Sequence, residues 1–151
     1  LLSLNSEDNV FDAFCGIGDF SLPLATVART VLGIEASESS VIRARENADR
    51  NNLKNTHFLA ADLFAEGLDI PGLQGINKVL LDPPRSGAEE VCKKLATHKV
   101  ERLVYVSCNP ATLARDAKLL VESGYRFETA GVIDMFPHTN HVESIACFSF
   151  N

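Results

Sequence analysis

A cysteine lodged between a β-type run and the first turn of a helix is where a nucleophile belongs. This chain has one at Cys108, within Tyr105-Val-Ser-Cys108-Asn109-Pro110-Ala-Thr-Leu-Ala-Arg115-Asp116. Asn109 reads as the N-cap and Pro110 as the first helical residue. A thiol there feels the positive end of the helix dipole and free backbone N–H groups, both of which favour thiolate over thiol. Inert packing is the competing reading, because free cysteine is among the most often buried residues. Further on, Phe136-Pro137-His138-Thr139-Asn140-His141-Val142-Glu143 ends in a carboxylate at the start of the last strand. Two histidines with Cys108 invite a zinc reading, but there is no evident fourth ligand and the histidines are not spaced as in a helical site, so no metal is expected.

A second set of groups suits a nucleoside. Asp12-Ala-Phe14-Cys15-Gly16-Ile-Gly18-Asp19-Phe20 follows the first strand, and glycines there let backbone approach a ligand closely. Glu35 ends the next strand, where a carboxylate can accept both hydroxyls of a ribose. Asp62 follows the third strand and Asp82 ends the fourth, at the strand ends where open α/β sheets bind ligands. These acids, without a Lys or Arg in the loop, favour a nucleoside lacking phosphates over a dinucleotide. S-adenosylmethionine meets that description with its ribose hydroxyls, adenine amine and cationic sulfonium. A tight structural turn, a helix cap or a solvated acid remains the alternative at each position.

Asp82-Pro83-Pro84-Arg85 stiffens the backbone beside that site and resembles the D/N-P-P-Y motif of amino-methyltransferases. Arg85 stands where that motif has an aromatic to stack on a base, so methylation of an exocyclic amine stays open as a second reading. His57 and His98 are isolated and read as surface or core residues. Arg115 and Asp116 read as a solvated helix face.

The elements that must position these groups alternate between strand-length apolar runs and segments of helical period, the pattern of a mostly parallel sheet covered on both faces. The spacing predicts parallel strands at 10–14, 31–34, 56–60, 78–81 and 102–106, with crossovers of helical length between them. One helix follows Ser37 as cap, with Val41, Ala44, Ala48 and Leu53 inward and Asn51 and Asn52 ending it. Ser86-Gly-Ala-Glu89 reads as a capping box opening a helix that buries Val91, Cys92 and Leu95. The helix after Pro110 carries Leu113, Ala114, Ala117, Leu120 and Val121 at helical spacing and stops at Gly124. Strands are expected at 125–135 and 142–150, the last an antiparallel partner.

At 151 residues the chain fits one domain, 1–151. Hydrophobic residues at 46% and charged residues at 23% exclude disorder or a fibre. No membrane span or secretory leader is evident. Four scattered cysteines without a C-x-x-C pair read as reduced thiols of a cytoplasmic protein. The net charge of −6 argues against strong, independent binding of nucleic acid. From the short lead into the first strand, the chain is expected to be a domain cut from something longer.

Together D-x-F-C-G-x-G-x-F, L-D-P-P-R-S-G, Y-V-S-C-N-P-A-T-L-A-R-D and F-P-H-T-x-H-V-E-S resemble the RNA (uracil-5-)-methyltransferases, over nearly the whole chain. The A-T-L-A-R-D and H-V-E-S stretches are nearer to the ribosomal than to the transfer RNA branch. The resemblance implies a Rossmann-like α/β fold with a seven-stranded sheet, mostly parallel, whose last strand is antiparallel. It implies S-adenosylmethionine as methyl donor and an RNA substrate, ribosomal rather than transfer; no membrane and no protein partner is evident in the sequence. Cys108 would be the nucleophile and Glu143 the base, with Phe14, Asp19, Glu35, Asp62 and Asp82 at the donor. Asp19 and Asp62 stand where a relative has asparagine, so they can accept but not donate a hydrogen bond. Full-length members carry an RNA-binding β-barrel and in many cases an iron–sulfur cluster. These residues match neither, so any such parts belong to a preceding region. A non-catalytic module serving an RNA-binding partner is a further alternative.

Overall fold

Apolar runs at Asn9–Ala13 (β1), Thr30–Glu35 (β2), Thr56–Ala60 (β3), Lys78–Leu81 (β4) and Arg102–Ser107 (β5) form parallel strands, and Arg126–Ile133 (β6) and Glu143–Ser149 (β7) complete one seven-stranded sheet. The computed structural model describes residues 1–133 and 143–150. The strand order is β3-β2-β1-β4-β5-β7-β6, with β7 antiparallel to both of its neighbours. This is the expected mostly parallel sheet with an antiparallel last strand. Residues 134, 135 and 142 of the expected strands, and Phe136, Pro137, His138, Thr139, Asn140 and His141, lie outside the described residues.

β1 and β4 sit in the middle of the order, and their near-continuous burial follows from helices and loops on both faces. On one face Phe11, Leu81, Leu103, Tyr105 and Phe148 pack with Val91 and Leu95 of the helix Glu89–Thr97 and with Leu120 of the helix Pro110–Glu122. On the other, Val41, Ala44 and Ala48 of the helix Glu38–Arg50 meet Cys15 and Phe58. In chain order the helices are α1 (Ser21–Ala25), α2 (Glu38–Arg50), α3 (Glu89–Thr97) and α4 (Pro110–Glu122). Each large side chain buried this way contributes about 1.5–3 kcal/mol.

The local signals act largely as expected. The Ser37 side chain caps α2 by accepting from the Ser40 N–H. Asn109 caps α4 by accepting from the Ala111 N–H, with Pro110 in the first turn, and Gly124 follows the last turn at φ 103°. Three expectations change. Residues 61–77 cross from β3 to β4 without a helix. Pro71 and three glycines interrupt the helical period there, while Leu63, Ile70 and Leu73 are buried from turns. Ser86 caps nothing, because α3 begins at Glu89 with Ala88 as its N-cap and no side chain caps it in the usual way. On α4, Ala114 and Val121 face solvent, and Asp116 takes the inward place between Leu113 and Leu120.

Among the described residues no helix is long and apolar enough to cross a membrane.

Candidate active site

The carboxyl ends of β1, β2 and β4 open onto one cavity of about 250 Å³, lined by Phe14, Glu35, Ala36, Leu63, Phe64, Asp82 and Pro84. Phe14 follows β1 at φ 64°, a left-handed conformation that costs a bulky residue energy and clusters at functional sites. Its ring lies 5.4 Å from that of Phe64, tilted by 44°. Glu35 is fixed from both sides: one carboxylate oxygen accepts the Gly16 N–H at 3.2 Å and the other the Ser37 N–H at 3.0 Å. Each oxygen keeps a lone pair for a further donor, as a ribose diol would supply.

Apolar walls, two aromatic rings, two carboxylates and no Lys or Arg in the lining fit an uncharged-backbone nucleoside such as S-adenosylmethionine. Phe14, Phe64, Leu63 and Pro84 would hold the base, and Glu35 the ribose.

Around this cavity the acids crowd one another. Asp12 is fully buried in β1, and its Oδ2 accepts the Ser21 hydroxyl at 2.5 Å. Its Oδ1 has no hydrogen-bond partner among the described residues. Burial pushes the Asp12 carboxyl up to about 7, against the pull of the Ser21 hydrogen bond, and the negative charges of Asp82 and Asp19 add to the rise. Asp82 is likewise raised, first by burial and then by Glu143 and Asp19. Asp19, Asp82 and Glu143 therefore share one negative field, which a cationic ligand would relieve.

Cys108 follows β5 at the same edge of the sheet. It is half-buried, whereas Cys15, Cys92 and Cys147 are buried. In the antiparallel pairing of β5 with β7, Ser107 stands opposite Ser144. Cys108 is the first residue past β5, and Glu143 is the first residue of β7, whose charge is felt at Asp82.

Of the residues singled out in the sequence, Phe14, Glu35 and Asp82 come together in the cavity wall. Asp19 is exposed beside it and felt there through its charge. Asp62 is exposed and does not line the cavity; its Oδ1 accepts the Phe64 N–H at 2.9 Å, which orients the residue that does. His57 is exposed and His98 half-buried.

Phe64 was not foreseen, since a single aromatic in an irregular crossover carries no periodicity. Asp116 departs from expectation outright: it is fully buried, where a solvated helix face was read. Its Oδ2 accepts the Tyr105 hydroxyl at 2.6 Å and the Ala88 N–H at 2.7 Å, and its Oδ1 pairs with Arg115 at 2.8 Å. Burial and the adjoining Asp116 together raise the Tyr105 phenol, leaving it a donor. The sequence signal lay in plain view, since Asp116 sits three residues after Leu113 and four before Leu120.

Comparison with known proteins agrees with this geometry. The family model for tRNA (uracil-5-)-methyltransferase matches residues 2–149. A 23S rRNA (uracil(1939)-C(5))-methyltransferase of Xanthomonas axonopodis pv. citri is 54% identical over 150 residues, 98% of this chain and 34% of its own. Its counterpart from Francisella tularensis subsp. holarctica is 51% identical over 151 residues, again 98% of this chain and 34% of the relative. The chain thus spans about a third of the length of the curated relatives it matches. Among solved structures, the tRNA (uracil-54, C5)-methyltransferase of Pyrococcus abyssi in complex with S-adenosyl-L-homocysteine superposes with a TM-score of 0.81 at 36% identity, covering 96% of this chain and 35% of that one.

Proposed function

The chain belongs to the tRNA (uracil-5-)-methyltransferase family, and from that premise we propose that it is the catalytic domain of an enzyme that methylates C5 of a uridine in RNA, ribosomal rather than transfer. Identities of 51% and 54% to relatives named for 23S rRNA, against 36% to one named for tRNA, support the ribosomal choice. Such a substrate places the reaction in the cytoplasm. The observation that supports the chemistry is the pairing of β5 with β7: Cys108 directly follows β5 and Glu143 opens β7, at the end of the sheet where the nucleoside cavity opens and where the charge of Glu143 is felt at the cavity residue Asp82.

Carbon 5 of uracil is too weak a nucleophile to take a methyl group unaided, so covalent activation is needed. Cys108 Sγ adds to C6, and the electron pair of the C5–C6 double bond moves towards the C4 carbonyl. S-adenosylmethionine, when bound, supplies an electrophilic methyl on a cationic sulfur. C5 takes that methyl as its bond to sulfur breaks. Glu143 then removes the C5 proton, the double bond returns, and Cys108 leaves with its electron pair. Phe14, Glu35 and Asp82 hold the donor, Asp19 and Asp82 add negative charge near the sulfonium, and Asp62 holds Phe64. The uridine must leave its stack to reach Cys108.

The test uses the full-length protein with RNA carrying 5-fluorouridine, whose C5 substituent cannot leave as a proton, so the adduct persists. The wild type should trap a covalent complex. Cys108→Ala should trap none and lose turnover by a factor on the order of 10³ or more, while Glu143→Gln should form the adduct on normal RNA and release it slowly. Normal turnover by Cys108→Ala, or a methyl found on nitrogen, overturns the reading and favours amine chemistry at Asp82-Pro83-Pro84-Arg85. Binding of S-adenosyl-L-homocysteine without any transfer favours a non-catalytic module.

A further inference from the structure

Helix α4 starts two residues after Cys108, and one stripe of its surface is polar where it meets the loop 82–88. Asn109 Nδ2 donates to the Arg85 carbonyl at 2.9 Å, and the Thr112 hydroxyl reaches the same carbonyl at 3.3 Å. Arg115 Nη2 donates to the Ser86 carbonyl at 2.9 Å, and Asp116 Oδ2 accepts the Ala88 N–H at 2.7 Å. Positions 109, 112 and 116 recur at helical spacing, so the four contacts form a row. The far end of the row is rooted in the core, because the buried Asp116 also accepts the Tyr105 hydroxyl from β5.

The two surfaces lie unusually close. Gly87 has φ 82°, and a Cβ there would come within 2.6 Å of Arg115 Nη2 and 2.7 Å of Asp116 Oδ2. The loop also carries Asp82 and Pro84 in the cavity wall, while Asp82 is tied by its N–H to the Ala13 carbonyl at 3.5 Å. One face of the loop therefore borders the nucleoside cavity, and the other is fastened to the helix that holds the cysteine.

We infer that Asp116 is a positioning residue: with Tyr105, Arg115, Thr112 and Asn109 it clamps the wall of the methyl-donor cavity to the N-terminus of α4 and so fixes Cys108 relative to the donor. This rests on the proposed role of Cys108. An asparagine at 116 has nearly the same shape but replaces one acceptor oxygen with a donor, which then faces Arg115, or the Ala88 N–H and the Tyr105 hydroxyl. The clamp opens at its buried root. Glu35 ends β2, and Phe14 and Asp82 directly follow β1 and β4, where the sheet and the Asp82 N–H bond to the Ala13 carbonyl keep them in place.

The experiment measures adduct formation on 5-fluorouridine RNA and affinity for S-adenosyl-L-homocysteine, using the full-length protein at saturating methyl donor and normalising to the folded fraction. Asp116→Asn should bind S-adenosyl-L-homocysteine within about threefold of wild type yet form the adduct roughly ten- to a hundredfold more slowly. Leu120→Ala, on the same helix but away from the loop, should lose stability and keep the wild-type rate per folded molecule. Thr112→Val removes one contact from the accessible end of the row and should slow the adduct severalfold; it decides the matter if Asp116→Asn does not fold. Wild-type rates in Asp116→Asn or, failing that, in Thr112→Val overturn the clamp, as does an equal loss in Leu120→Ala. Full adduct formation by Cys108→Ala removes the nucleophile and the clamp with it. That outcome is told apart from failure of the clamp alone, in which Cys108→Ala is inert while Asp116→Asn works normally.

Discussion

Asp12 shows how a single carboxyl can set the pH response of the domain. Its folded value of about 7 lies above the ordinary 3.8, so between those values the folded chain holds a proton that the unfolded chain has lost. Stability then falls as pH rises through this window, because the unfolded state binds fewer protons. The full span corresponds to ~4 kcal/mol. Asp82, also raised, acts in the same direction. Wild type should therefore lose thermal stability from pH 4.5 to 8 relative to Asp12→Asn (about that range), and parallel melting curves for the two proteins would refute the assignment. Affinity for the cationic donor should move the opposite way, rising with pH as Asp12 and Asp82 ionise, as isothermal titration at several pH values would show.

At the scale of elements, α4 carries two separate duties on two stripes. Leu113 and Leu120 anchor it in the core, and truncating Leu120 to alanine should cost about 2–5 kcal/mol in chemical denaturation. The parallel strands, the caps of α2 and α4 and the stop at Gly124 were legible because each rests on nearest neighbours in sequence. Strand lengths at 56–60 and 78–81 match the prediction residue for residue. The crossover 61–77 was not legible as irregular, since buried leucines satisfy a helical spacing whether or not the backbone coils. Nor was the start of α3, where the Ala88 N–H is satisfied by Asp116, 28 residues away in the chain. A partner that distant leaves no local trace. The cavity acids were readable one at a time, but their mutual electrostatics depend on how β1, β4 and β7 are ordered in the sheet.

For the molecule as a whole, charge and extent point the same way. A net charge of −6 on a chain that spans about a third of its relatives leaves little cationic surface for phosphate contacts. On its own this domain should bind ribosomal RNA fragments only weakly, with dissociation constants at or above about 10⁻⁴ M at physiological salt. Tight, salt-sensitive binding in a gel-shift assay would contradict that.

The sheet also has an unfinished margin. All eight residues of β6 are exposed, including Phe127, Val132 and Ile133, and among the described residues no strand lies beside its outer backbone groups. An open rim of this kind invites another extended chain to zipper onto it, and Arg126 and Glu128, its two charged residues, are paired with each other, so that apart from them and Thr129 it is apolar. Concentrated samples of the isolated domain should therefore self-associate on warming, and a lysine introduced at Thr129 should delay the onset of light scattering without altering the fold.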